Sequence, residues 1–214
     1  MSIPRKRLDA RPKNAILAAL PSRDYRRLLP HLTTIPVRTK QVVHRQGERI
    51  QHVYFPNGGV WSVTTVLASG QNVEVATIGD EGFLGLEALL STDAVSAGDT
   101  LMQVPDTDAV KLEVAVFRRE IATRGALQDA AGRYALTVMA QMMQSTACNA
   151  LHHVQQRCAR WLLVTHDRMH EQDFTLSHEF LAVMVGAQRP TVSGAAAALQ
   201  EAGFIGYRHG RVTV

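Results

Sequence analysis

The stretch Ser177 to Gln200, SHEFLAVMVGAQRPTVSGAAAALQ, constrains the fold most, because its small and apolar residues are spaced for two short helices at a sharp angle. A bulky side chain at Ala182 would push the helices apart. Gly186, four residues later, makes the turn, and Val192, six further on, anchors the second helix. This is the helix-turn-helix pattern. Ser177 is a good N-cap, and Leu181, Val183, Met184 and Val185 supply a buried side for the first helix. Pro190 falls in the first turn of the second helix, where a missing N–H costs nothing.

Downstream, Phe204-Ile205 and Arg211 to Val214 read as two short strands joined by Tyr207-Arg208-His209-Gly210. A helix pair followed at once by a hairpin reads as a winged helix-turn-helix, whose second helix enters the DNA major groove while the hairpin touches phosphates. The candidate DNA contacts are Gln188, Arg189, Thr191 and Ser193 near the start of the inserted helix, together with Ser177 and the wing residues Arg208, His209 and Arg211. Arg189 is the best base reader, since a guanidinium bonds guanine O6 and N7 together, worth about 1–3 kcal/mol of discrimination. A phosphate contact or a solvated charge is the alternative for Arg189.

The chain has 214 residues, 46% of them hydrophobic, enough for one or two real cores, and two modest domains fit better than one. No apolar run is long enough to span a bilayer, and MSIPRKRLDARPK lacks the apolar centre of a signal peptide, so a cytoplasmic address is expected. Cys148 and Cys158 would lie about 15 Å apart on one continuous helix, too far for a disulfide. Net charge is +4, but residues 1 to 50 hold 12 Lys and Arg against 3 Asp and Glu, which leaves the rest of the chain acidic. DNA affinity then has to come from focused contacts and from doubling the site in a dimer. Arg5-Lys6-Arg7 with Arg11 and Lys13 reads as a solvated tail, or else as a flexible basic arm.

From Asn14 to Leu32 the spacing predicts two short helical pieces broken at Pro21. Between Ile35 and Leu112 the runs VVH, HVYF, VWSVTTVLA, NVEVATI, LMQV and AVKL, separated by Gly-, Asn- and Ser-rich turns, predict an all-β sandwich or barrel. Alternation in Val60–Thr64 and Val73–Thr77 predicts one buried and one wet face. Residues Val114 to Ala122 return to helical spacing. Leu127, Ala131, Tyr134, Val138 and Met142 then recur at steps of four and three, and Ala147, Leu151, Val154, Cys158 and Trp161 continue the rhythm. A long amphipathic helix between a β domain and a DNA reader is a natural dimer spine, with Leu127, Tyr134, Val138 and Met142 as its interface. A bend is expected near Asn149 to His153. The expected fold is α+β, with a β-roll and flanking helices over 1–125, a long helix over 126–152 and a winged helix-turn-helix over 153–214.

This order of parts resembles the cyclic-AMP receptor/fumarate-nitrate-regulator (CRP/FNR) superfamily of bacterial transcription regulators. The resemblance rests on HVYFPNGGVWSV (His52 to Val63), the Gly79-Asp80-Glu81-Gly82 turn followed by Gly85, CNALHHVQQRCARWLL (Cys148 to Leu163), and the helix-turn-helix itself. It implies a jelly-roll domain of the cyclic-nucleotide-binding kind, a homodimer that reads a palindromic operator in double-stranded DNA, contact with RNA polymerase, and no membrane. By the same resemblance Arg189 corresponds to a base-contacting arginine, with Thr191 and Ser193 beside it. Pro190 stands where the cyclic-AMP receptor has a base-reading Glu and Gly194 where it has an Arg, so a different operator is expected.

Cyclic-nucleotide-binding members hold the ribose with a Glu inside the glycine turn and the phosphate with an Arg-Ser pair after it. Here Phe83 occupies the Glu position, and AVSAGDT (Ala94 to Thr100) contains no cation, while Asp99 would repel a phosphate. The expectation is an effector other than cyclic AMP, in a pocket between Gly79, Glu81, Gly82 and Phe83 and the helix residues Val138 and Met142. An iron-sulfur sensor needs an N-terminal cysteine cluster, and residues 1 to 147 contain no cysteine. No metal site is expected, because His166 and His170, four apart, lack a third ligand. Gly79 to Gly85 has no Lys-Ser/Thr after its glycines and is not a P-loop, nor does a nucleophile motif occur, so an enzyme is not expected. The alternative reading is a ligand-sensing module whose C-terminal helices bind a protein rather than DNA.

Overall fold

The computed structural model describes residues 11–68, 70, 72–208 and 210–214; the basic segment Arg5-Lys6-Arg7 and His209 lie outside the described residues. Two short helices, α1 (Ala15–Ala19) and α2 (Ser22–Leu28), flank Pro21 as the spacing predicts. Asn14 is fully buried. Its side chain caps α1 by accepting from Leu17 N (3.2 Å), and its Nδ2 donates to the carbonyls of Pro56, Asp80 and Gly82 at 3.0, 3.0 and 2.7 Å. One amide thus ties the first helix to two turns of the next domain.

That domain holds seven strands: β1 (Thr33–Val37), β2 (Val42–His44), β3 (His52–Pro56), β4 (Val60–Val66), β5 (Asn72–Ile78), β6 (Asp99–Val104) and β7 (Thr107–Glu113). They form two antiparallel sheets, in the orders β1-β7-β3 and β2-β6-β4-β5, facing each other as a sandwich. The core between them includes Trp61, Phe55, Phe83, Leu112 and Met102, each fully buried. β1 carries Pro36, which has no N–H to donate, and it lies at a sheet edge where that donor is not needed.

The one-wet-face expectation for β4 fails. Val60, Trp61 and Ser62 are consecutive and all fully buried. Trp61 points into the sandwich, whereas Val60, with Val104 of β6, belongs to the apolar cluster built around Trp161, Leu162 and Leu181 of the C-terminal domain. Around Val60 and Ser62 the outer face of this sheet is covered by protein, whereas its far end at Val66 and Asn72 is exposed.

After α3 (Val114–Ala122) come α4 (Ala126–Leu151) and α5 (Val154–Met169). They are separate helices. His152 and His153 are extended (ψ 141° and 158°), and His153 with Gln156 forms a capping box that starts α5. Cys148 and Cys158 are free and buried.

α4 corrects the expected dimer stripe. Leu127, Ala131, Tyr134 and Val138 are buried against their own sandwich, and only Met142 of the expected interface is exposed. The helix carries a second apolar line, Leu136, Met139, Met143 and Leu151, which faces outward and is 66%, 57%, 71% and 81% exposed. The two stripes lie on opposite sides yet look alike in the sequence, because steps of three and four fit both.

The C-terminal domain adds β8 (Asp173–Thr175), α6 (His178–Met184), α7 (Arg189–Glu201), β9 (Gly206–Arg208) and β10 (Arg211–Thr213), with β10 between β8 and β9. The first wing strand begins two residues later than the sequence suggests. Gly203 takes φ +77° and Phe204 N bonds Leu199 O at 3.0 Å, a Schellman end for α7 that uses Phe204 before any strand can start. Phe204 is accordingly exposed, and Tyr207, expected in the turn, lies in β9.

Candidate functional site

The two helices of the C-terminal unit are set as the residue spacing requires. Ala182 and Val192 are buried between them, and Gly186 adopts φ +61°, a conformation that favours glycine. Ser177 accepts from Phe180 N at 3.1 Å and caps α6. Val183, expected on the buried side, is 41% exposed; Leu181, Ala182, Met184 and Val185 carry that side.

Gln188, Arg189 and Thr191 come together, exposed, at the N-terminal end of α7, where the backbone N–H groups of the first turn add positive potential. Arg189 Nη1 donates to Glu179 Oε1 at 3.0 Å, with both side chains largely exposed. Ser193 does not join them. Its hydroxyl bonds His178 Nδ1 at 2.9 Å, and the His178 ring packs at a tilt against Tyr207 with centroids 4.6 Å apart, so Ser193 stitches α7 to α6 and the wing. Ser177 likewise spends its hydroxyl on capping. In the wing Arg208 is exposed, whereas Arg211 Nε bonds Asp173 Oδ2 at 2.6 Å. That hydrogen bond holds the Asp173 carboxyl below its ordinary range and raises the Arg211 guanidinium. Arg211 therefore braces β10 on β8 rather than standing ready for phosphate.

The expected effector pocket is filled. Phe83 is fully buried and packs against Phe55, Phe117 and Tyr134 at centroid distances of 5.7, 5.4 and 5.5 Å. A Cβ at Gly82 would fall inside the Tyr134 ring, so the turn and the helix are in direct contact. Glu81 is occupied by Arg168 and by Gly79 N; Val138 is in the core, while Met142 is exposed. Phe83 and Val138 are buried in the core while Glu81 and Met142 stand outside it, so the structure does not gather the six residues. Tyr134, which the sequence marks only as one more apolar position, closes the space. His170 ends α5 in the left-handed region (φ 53°) and meets Asp80 at 3.3 Å instead of pairing with His166.

The sandwich and the C-terminal domain meet through polar side chains. Trp161 Nε1 donates to Glu74 Oε1 at 2.9 Å, Arg168 reaches Glu81 and Thr77, and Gln103 Nε2 donates to Met184 Sδ at 3.0 Å, while from α4 Gln141 Nε2 donates to Thr77 Oγ1 at 2.7 Å. Glu74 sits in an alternating strand on the side expected to be wet, which hides it from pattern reasoning. Among the described residues no helix is long and apolar enough to cross a membrane, and no three His, Cys, Asp or Glu side chains are grouped to hold a metal ion.

Comparison with known proteins agrees with this architecture. Residues 34–124 match the cyclic nucleotide-binding domain family, and residues 156–214 match the Crp-like helix-turn-helix domain family. No curated protein sequence matches. Among solved structures, the chain is similar to the c-di-GMP responsive global regulator CLP of Xanthomonas campestris, with a TM-score of 0.74 at 16% identity, covering 91% of this chain and 99% of that one. FixK2 of Bradyrhizobium japonicum gives a TM-score of 0.73 at 15% identity, covering 86% and 92%. A CRP-family transcriptional regulator of Thermus thermophilus gives 0.69 at 22% identity, covering 84% and 91%. With a cyclic nucleotide-binding domain and a Crp-like helix-turn-helix domain in one chain, joined by the long helix α4, the protein belongs to the CRP/FNR superfamily of transcription regulators.

Proposed function

We propose that this regulator acts in the cytoplasm as a homodimer that binds a two-fold symmetric operator through α7, and that its sensor domain answers to an effector other than cyclic AMP. The observation that carries the DNA reading is the exposed cluster Gln188, Arg189 and Thr191 on the first turn of α7, beside a three-stranded wing. Dimerisation is supported by the outward line Leu136, Met139 and Met143, since a contiguous apolar helix face is costly to leave in water. Two copies packed along it would set two reading helices about one helical turn of DNA apart. Contact with RNA polymerase follows from family likeness.

The reading of the effector rests on the chemistry of the sensor. Phe83 stands in the core where a ribose-binding carboxylate would be needed, and the segment Ala94 to Thr100 has no cation for a cyclic phosphate. Asp99 Oδ1 there accepts from Gln46 N at 2.7 Å. Selection from random duplex DNA at moderate salt, with Arg189→Ala alongside, tests the proposal. A palindromic motif retained by the parent and lost in the variant is expected. No motif with the purified protein, and none after repeating the selection in cell extract, would favour a protein partner for the C-terminal helices.

A further inference from the structure

Glu74 is a half-buried ionisable residue for which DNA binding has no use, and it lies where the two domains join. Its carboxyl is enclosed between β4, β5 and α5. One oxygen accepts from Trp161 Nε1 at 2.9 Å, and the other is bonded to the Ser62 hydroxyl. Ser62 Oγ also lies 3.8 Å from Met184 Sδ of α6, so elements of both the sensor and the C-terminal domain converge on this one carboxyl. Beside it is a cavity of about 40 Å³, bounded by β5, α4, α5 and α6, large enough for water. Since α4 and α5 are interrupted at His152–His153, lateral contacts such as this one hold sensor and reader together.

We propose that the Glu74 carboxyl is a proton-operated latch between the sensor sheet and the winged-helix domain, closed when protonated and loosened when ionised. Enclosure favours the neutral acid, against the Ser62 and Trp161 donors, which favour the anion. Protonated, it donates to Ser62 Oγ, which frees the Ser62 proton to turn toward Met184 Sδ, and its other oxygen still accepts from Trp161. Ionised, it takes the Ser62 proton for itself, turning it away from Met184, and carries its full charge in a mostly enclosed site.

The charges that face it do not compensate. Those on α5 are Arg157, Arg160 and Arg168. Arg157 Nη1 donates to Val185 O at 2.7 Å and Arg168 is bound to Glu81, while the charges of Arg168 and Arg160 favour the Glu74 anion without outweighing its burial. The side chains from α4 are the neutral amides of Gln141 and Asn149, the Ser145 hydroxyl and the Cys148 thiol, and α6 offers Met184. Burial outweighs these contacts and pushes the Glu74 carboxyl up to about 7. Closing the latch therefore takes up a proton: docking is strongest in acid and weakens as pH climbs toward 7.

The full chain has two tryptophans, Trp61 and Trp161, so ¹⁵N-tryptophan labelling gives two indole signals, assigned with Trp161→Phe. Between pH 5.5 and 8.5 the Trp161 signal is expected to move in a single proton step near 7, absent in Glu74→Gln, while Trp61, buried in the sandwich, stays fixed. At pH 8 the Trp161 indole should exchange its hydrogen at least tenfold faster in the parent than in Glu74→Gln. A Trp161 signal that does not titrate, that titrates equally in Glu74→Gln, or that exchanges at the same rate in both would overturn the latch. If Glu74→Gln loses the Trp61 signal and so fails to fold, Ser62→Ala decides. It removes a donor that favours the anion and should move the step to higher pH; an unmoved step refutes the proposal.

Discussion

The Arg168 guanidinium closes on the Glu81 carboxylate through Nε at 2.9 Å and Nη2 at 2.8 Å, joining α5 to the turn after β5. The same guanidinium reaches Thr77 Oγ1 at 3.0 Å. Arg168 is 16% exposed and Glu81 39%, so solvent screens part of the attraction. A double-mutant cycle of Arg168→Ala and Glu81→Ala is expected to give a coupling of about 1 kcal/mol in denaturant titration. Arg168→Ala should cost more than Glu81→Ala because it also strips Thr77. A coupling of zero would remove this pair from the domain junction.

Gly82 and Tyr134 make a steric prediction. Gly82→Ala should destabilise the sandwich by about 1–3 kcal/mol, because its new methyl group competes for the space of the Tyr134 ring. Tyr134→Ala alone leaves a cavity and is also costly, but adding it to Gly82→Ala should recover stability relative to the sum of the two. Thermal melts of the three variants check the sign of that coupling.

For the outward line of α4, Leu136→Glu combined with Met143→Glu should halve the mass seen by light scattering while leaving the thermal melt of the sandwich unchanged. Leu127→Glu, on the inward line, should instead unfold it. A mass unaffected by the first pair would place self-association elsewhere.

Arg208 and Arg189 should separate in the salt dependence of DNA binding. Arg208→Ala, an exposed wing cation, is expected to weaken all sequences alike and lower the slope against log salt by about one, whereas Arg189→Ala relaxes preference at one base position. Equal loss of preference in both variants would refute the division of roles.

His44 yields a pH prediction. Its Nε2 donates to His52 O at 2.8 Å, and its Nδ1 is buried without a partner, so burial lowers its pKa. The unfolded chain then binds a proton more readily than the folded one. Stability from the neutral ring is present above about 6.5 and is lost as pH falls below it. In urea titrations at pH 7.5 and 5.5, His44→Gln should show a smaller acid loss than the parent; an identical loss would exclude His44 as its source.

Much of this architecture is legible from residue spacing. Ala182, Gly186 and Val192 are packed and bent as the helix pair demands, the strand runs from Val42 to Leu112 lie in the sandwich, and the interruption falls at His152–His153. What spacing cannot decide is direction. Steps of three and four describe both sides of α4, so Val138 and Met139 look alike until the sandwich is seen to cover one of them. A strand buried on one face and a strand buried on both differ only by what lies outside, which is why Val60, Ser62 and Glu74 read as half wet. The contacts at Ser193 and Arg211 depend on His178 and Asp173, partners distant in sequence that leave no periodic trace.

The two extended residues His152 and His153 uncouple α4 and α5 mechanically. A twist applied to α4 by its own sandwich dies out in single-bonded backbone instead of running on as torque into α5, so the chain behaves there as a universal joint. Any reorientation of α7 against the sandwich then depends on sideways traction through Trp161 and Arg168, across the path the covalent chain would suggest.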